Sequence, residues 1–84
     1  MEPSHNVQIA QELRPLLETR MILEQDIQRT IESAEQNGDI IEDQLTGRRL
    51  ASLRVAGVTY WVEYSDQNGA YLVHDAYSHR MEVR

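Results

Sequence analysis

The sequence predicts an α+β fold: an antiparallel three- to four-stranded meander packed on one face by an amphipathic helix, with a short N-terminal helical segment ahead of both. Three observations predict it. Leu23, Ile27, Ile31 and Ala34 recur at helical spacing, while Gln25, Gln28, Arg29, Glu32, Ser33 and Glu35 fill the other side. From Leu50 to Val83 the hydrophobic period falls to two residues, the spacing of a strand with one buried face. Gly38, Ala56-Gly57 and Asn68-Gly69 punctuate those patterns where a cap or turn is needed.

The first segment, with Ile9, Ala10, Leu13, Leu16 and Leu17, also repeats at helical spacing, but Pro15 inside it would clash with a continuing upstream turn. Two short pieces are expected, the second opening near Pro15 because Arg14 is biased away from helical angles. Residues 1–18 thus read as an N-terminal helical extension and residues 19–84 as a single small α+β domain. Thr19 to Leu23 fits helix or extended chain equally. The main helix is expected from about Glu24 to Gln36, with Glu24 and Asp26 at its positive N-terminal end and Asn37-Gly38 tolerating the left-handed angles that end it. Asp39 to Arg48 reads as a polar connector whose Ile40, Ile41 and Leu45 tuck back onto the core.

In the meander, a two-residue turn at Ala56-Gly57 pairs Val55 with Val58, Leu53 with Tyr60 and Ala51 with Val62, placing the apolar partners on the face the helix needs. A four-residue loop, Asp66 to Gly69, would then match Tyr64 with Tyr71 and Val62 with Val73. The opposite face receives Thr59, Trp61 and Glu63, with Trp61 across from both Ser52 and His74. A bend at Ala76-Tyr77-Ser78 would precede a last short strand, His79 to Val83.

Composition narrows the chemistry. A chain of 84 residues makes one domain with one compact core, burying roughly 60 to 65% of its unfolded surface, which disfavours a deep enclosed active site. Without cysteine there is no disulfide, thiolate metal site, cysteine-ligated cluster or cysteine nucleophile; without lysine there is no Schiff base or lysine-dependent phosphate loop. A formal net charge of −6 opposes attachment to nucleic acid or an anionic membrane. Met1 to His5 lacks the basic opening of a signal peptide, and no apolar run approaches the roughly 20 residues that span a bilayer, so a cytoplasmic location is expected. The four glycines sit singly at turns and caps, so none builds a phosphate cradle, and Glu32, Glu35, Asp39, Glu42 and Asp43 read as a solvated acidic face.

The candidate surface is the meander's outer face, where Trp61 and His74 with Arg54 and Glu63 make a mixed aromatic and charged patch of the kind that anchors interfaces. The competing reading covers Trp61 with the segment around Leu13, Leu16 and Leu17. His74, Asp75 and His79 offer two imidazoles and a carboxylate, but the odd spacing sends the rings to opposite faces of a strand unless a bend intervenes, so no metal and no cofactor is expected. Ser78-His79 with Asp75 lacks the elbow and oxyanion glycines of a nucleophilic site, and no catalytic residue is assigned.

The runs Asp26-Ile27 through Ala34-Glu35, Gly38, Thr46-Gly47-Arg48 with Leu50-Ala51, Val58 to Tyr64, and Ala76-Tyr77-Ser78-His79-Arg80-Met81 resemble a small domain found beside or fused to bacterial flavin-dependent pyridine-nucleotide oxidoreductases of the glutamate-synthase small-subunit type. The resemblance spans about residues 20 to 83. It implies an oxidoreductase subunit as protein partner, with flavin and iron–sulfur chemistry on that other polypeptide. Three functions follow as expectations. One is a non-catalytic accessory or protein-interaction module using Arg54, Trp61, His74, Tyr77, His79 and Arg80, with self-association open. Another is a small-ligand-binding regulatory domain, holding an anion or ring on the aromatic face against Arg54 or Arg80. The last is an enzyme using His74 or His79 as general base, which requires a cleft.

Overall fold

A computed structural model describes residues 6–67 and 69–80, and of Asn6 and Arg80 only the backbone. The chain folds as a small α+β domain whose five-stranded mixed sheet carries two helices. In order these are β1 (Asn6–Ile9), a 3-10 turn (Gln11–Leu13), α1 (Arg14–Thr19), α2 (Glu24–Asn37), β2 (Ile40–Glu42), β3 (Arg49–Val55), β4 (Val58–Gln67) and β5 (Ala70–Arg80). The sheet order is β1-β5-β4-β3-β2, antiparallel except for the parallel pair β1 and β5. The expected meander is therefore the centre of a wider sheet, flanked by two short strands.

Helix α2 forms where its stripe and caps agree. The Leu23 N–H donates to Asp26 Oδ2 at 3.1 Å, satisfying an N-terminal donor that has no intrahelical partner. At the other end Gly38, at φ 78°, donates its N–H to the Ala34 carbonyl at 2.8 Å. Ile27, Ile31 and Ala34 are buried, but Leu23 stands outside the stripe and is exposed. Thr30 is fully buried as well, which it can be because its hydroxyl donates to the Asp26 carbonyl at 2.7 Å. In α1 Pro15 occupies the first turn, where its missing N–H costs nothing. The helix closes by a bond from the Ile22 N–H to the Leu17 carbonyl at 2.9 Å, with Met21 between them in the left-handed region at φ 60°.

The β3–β4 register matches the alternation in the sequence, because Ala56 and Gly57, at φ 52° and 84°, make the tight two-residue turn that pairs Val55 with Val58 and Ala51 with Val62. The β4–β5 register does not. Gln67 pairs with Ala70, so the turn has two residues instead of four, and Tyr64 faces Val73 rather than Tyr71. A bulge then follows: Tyr64 opposes Val73 and the next residue, Glu63, opposes Asp75, leaving His74 extra. The bulge lets Val73 and Ala76 both face the core despite their odd spacing. It also moves Tyr77, not His74, opposite Trp61, and β5 runs on to Arg80 without the expected bend. The part of the expected last strand beyond Arg80 lies outside the described residues.

One core joins Ile27, Ile31 and Ala34 to Ala51, Val62, Tyr64, Tyr71, Val73 and Ala76 of the sheet. Leu13, Leu17 and Ile22 belong to the same cluster, and Val7 and Ile9 pack against it. Residues 7 to 18 are thus built into sheet and core instead of trailing from them. In the connector Ile40 packs on the core as part of β2, whereas Ile41 and Leu45 do not tuck in and are exposed.

Candidate functional site: the outer face of the sheet

Strand alternation divides the sheet cleanly. Val62 and Tyr64 face the helices and are buried, so Trp61 and Glu63 between them face the other way. Across this outer face the pairings make three rows: Arg54, Thr59 and His79 near the β3–β4 turn; then Ser52, Trp61 and Tyr77; then Leu50, Glu63 and Asp75, with Ile41 of β2 beside Leu50. Trp61 is half-buried among its neighbours, Tyr77 is 40% exposed, and Arg54 and His79 are exposed. Trp61 is absent from the core cluster. Nor does the N-terminal segment cover it: Leu13 and Leu17 go to the core, and Leu16 borders a hollow shared with Leu72 and His74.

At the β2 corner of this face lies a concavity of about 450 Å³, lined by Ile41, Leu50 and Tyr77 together with the charged Asp43, Arg48, Arg49 and Glu63. Of the residues expected at the site only Tyr77 lines it; Arg54, Trp61 and His79 lie outside it. The Arg80 side chain falls outside the described residues. Sequence reasoning does not single out Ile41 or Leu50. The available signal is three large apolar residues, Ile40, Ile41 and Leu45, in an otherwise polar connector, which hydrophobic pattern alone assigns to the core.

His74 has a different setting from the one expected. Displaced by the bulge, its Nε2 lies 2.9 Å from Ser65 Oγ. Burial holds the imidazole below its ordinary pKa, Arg48 acts the same way, and Glu63 opposes them. A hydroxyl beside a neutral imidazole is the first half of a nucleophilic site, but Ser65 lies within strand β4, without a strand-to-helix elbow to present it. His79 sits four residues beyond Asp75 on the same extended strand, about 13 Å along it. Among the described residues no three His, Cys, Asp or Glu side chains group as metal ligands. On the helix side of the sheet Glu35 Oε2 accepts from Tyr64 Oη at 2.6 Å and from Arg49 at 2.9 Å. Burial raises the Tyr64 pKa strongly, and the bond to Glu35 and its negative charge raise it further against the opposing Arg49. These polar groups hold α2 to the sheet.

No family model, curated protein or solved structure matches this chain. Among the described residues no helix is long and apolar enough to cross a membrane.

Proposed function

We propose that the chain is a non-catalytic protein-interaction module that docks a partner on the outer face of its sheet. The observation that carries this reading is the row Ser52–Trp61–Tyr77, in which two aromatic side chains stand on the face opposite the helix-packed core. Half-buried tryptophan flanked by tyrosine and arginine has the composition of an interface anchor, since such side chains give large contact area for little lost conformational freedom. The sequence resemblance supplies the partner class to test first, a subunit of a flavin-dependent, iron–sulfur-containing pyridine-nucleotide oxidoreductase. Trp61→Ala combined with Arg54→Ala is expected to weaken binding to the purified oxidoreductase roughly a hundredfold while the circular dichroism spectrum and thermal midpoint stay put. Binding that survives both changes in a folded variant overturns the assignment of this face.

A second reading, a small-ligand regulatory domain, draws on the concavity at the β2 corner, whose size falls within the roughly 300–1,000 Å³ of small-molecule sites. It would use Arg48, not Arg54, against an anion. A ligand there would perturb the methyl resonances of Ile41 and Leu50 and leave those near Arg54 unchanged.

A further inference from the structure

The bonding along the outer edge of β5 can be followed residue by residue. In an antiparallel pair, successive residues turn their backbone N–H and C=O alternately toward the partner strand and away from it. The two-residue turn at Ala56-Gly57 makes Val55 and Val58 a hydrogen-bonded pair, so Val58, Tyr60 and Val62 aim their backbone groups at β3. Their partners on β5, which are Arg80, Ser78 and Ala76, therefore aim theirs away from β4. Ala76 has the same phase: its N–H donates to Asp75 Oδ1 at 2.9 Å, and its carbonyl accepts from Arg20 at 2.7 Å. Strand β1 covers this edge over Ala70–Val73, and Arg20 and Asp75 close it at Ala76. Past that point the N–H and C=O of Ser78 and Arg80 face outward with no strand beside them among the described residues. The helices also stop short of this end. Ser78 shares the helix side of the sheet with Ala76 yet is exposed, as are Tyr77 and His79.

We propose that the edge at Ser78–Arg80 receives an extended segment of a partner protein by strand addition, with an aspartate or glutamate of that segment beside His79. The inference deepens the docking reading above and rests on it, giving the partner's conformation and its place of entry. Backbone chemistry selects the conformation: donors and acceptors repeating every second residue are matched by another strand. Such edges are ordinarily blocked, as this one is up to Ala76, and the opposite edge strand β2 is only three residues long. Charge selects the side chain. Arg14, Arg20, Arg48 and Arg49 each pair with a carboxylate, whereas Arg54, in one row with Thr59 and His79, has none among the described residues, although the chain carries a formal net charge of −6. An acid on a strand added about 5 Å beyond β5 accepts from the His79 imidazole and lies in the field of Arg54. A second copy offering its own Tyr77–Arg80 stretch brings no carboxylate to that position.

A random peptide library displayed on phage, selected against the immobilised intact chain, tests this, with enriched peptides titrated against the chain and its Ser78→Pro variant. Proline at this position removes an outward N–H and spares the β4 ladder, as edge strands tolerate. The enriched peptides are expected to carry an acid, to slow amide hydrogen exchange at Ser78 at least about tenfold, and to bind Ser78→Pro at least about tenfold more weakly. Where circular dichroism shows Ser78→Pro unfolded, exchange at Ser78 in the unaltered chain decides. Failure to enrich any peptide that protects Ser78 overturns the proposal, as does equal binding to a folded Ser78→Pro. Edge-binding peptides without an acid overturn the choice of occupant. Protection of Ser78 that rises with chain concentration in the absence of peptide assigns the edge to a second copy and overturns it too. Peptides indifferent to Ser78→Pro but lost with Trp61→Ala and Arg54→Ala sink strand addition while the docking reading stands.

Discussion

At the scale of single residues, the most consequential group is Tyr64, fully buried yet bonded through its hydroxyl to Glu35. Burial and the adjacent carboxylate both favour the neutral phenol, so the folded state holds this proton more tightly than the unfolded chain does. A pKa raised on folding contributes stability that is complete below the unfolded value, about 10, and is lost as pH rises past it. Urea midpoints are therefore expected to fall steadily above about pH 10. Tyr64→Phe should cost about 1–2 kcal/mol at neutral pH and reduce that alkaline decline, leaving the part due to Tyr71, whose pKa is also raised by burial. An alkaline decline equally steep in the variant would show that the phenol is not its source. Trp61 was legible at this scale, because strict alternation with Val62 and Tyr64 leaves its side chain only one face. Its neighbour was not: the residue across β5 depends on a bulge at His74, whose one trace in the sequence is that the inward apolar positions step from Val73 to Ala76 instead of to Asp75.

At the scale of elements, legibility follows how local the deciding interaction is. Helix α2 carries its stripe, its N-terminal acids and its Gly38 stop within one continuous segment, and the β3–β4 hairpin is specified by its own turn. Strand β1 is four residues long, and β2 three. β1 is a strand only because the distant β5 pairs with it, so Ile9 could be read into a helical stripe. β2 pairs with β3 across the short loop 43–48, but three residues are too few to display a period, so Ile40–Ile41 could be read into a loop. The closing turn of α1 is an element that works against local preference. Met21 takes a left-handed angle there while 83% exposed, so its side chain adds strain and little packing. Met21→Gly should stabilise the protein by about 1 kcal/mol, seen as a higher denaturant midpoint at unchanged slope. A loss of stability would mean that the Met21 side chain makes a contribution its exposure does not reveal.

At the scale of the whole molecule, the domain is small enough that a few side chains govern whether it folds. Proteins of this size are stable by roughly 5–10 kcal/mol, and Ile31 is one of the largest fully buried side chains in the single core. Ile31→Ala is expected to cost about 2–5 kcal/mol, removing a large fraction of that margin and lowering the thermal midpoint by tens of degrees. A shift of only a few degrees would indicate that the helix–sheet interface is loosely packed. The same smallness accounts for the one-sided packing: among the described residues a single layer of helices covers one side of the five-stranded sheet.

The parallel strand β1 also sets the order in which the sheet can be completed. Its neighbour is β5, so among the described residues the strand made earliest pairs with the one made latest. At a synthesis rate of about 5–20 residues per second, β1 waits roughly 3–13 seconds for Ala70–Val73 to be translated. A chain released before residue 70 would leave β1 without its partner and the whole β5-facing edge of β4 bare, which makes premature termination products of this protein natural substrates for chaperones and proteases.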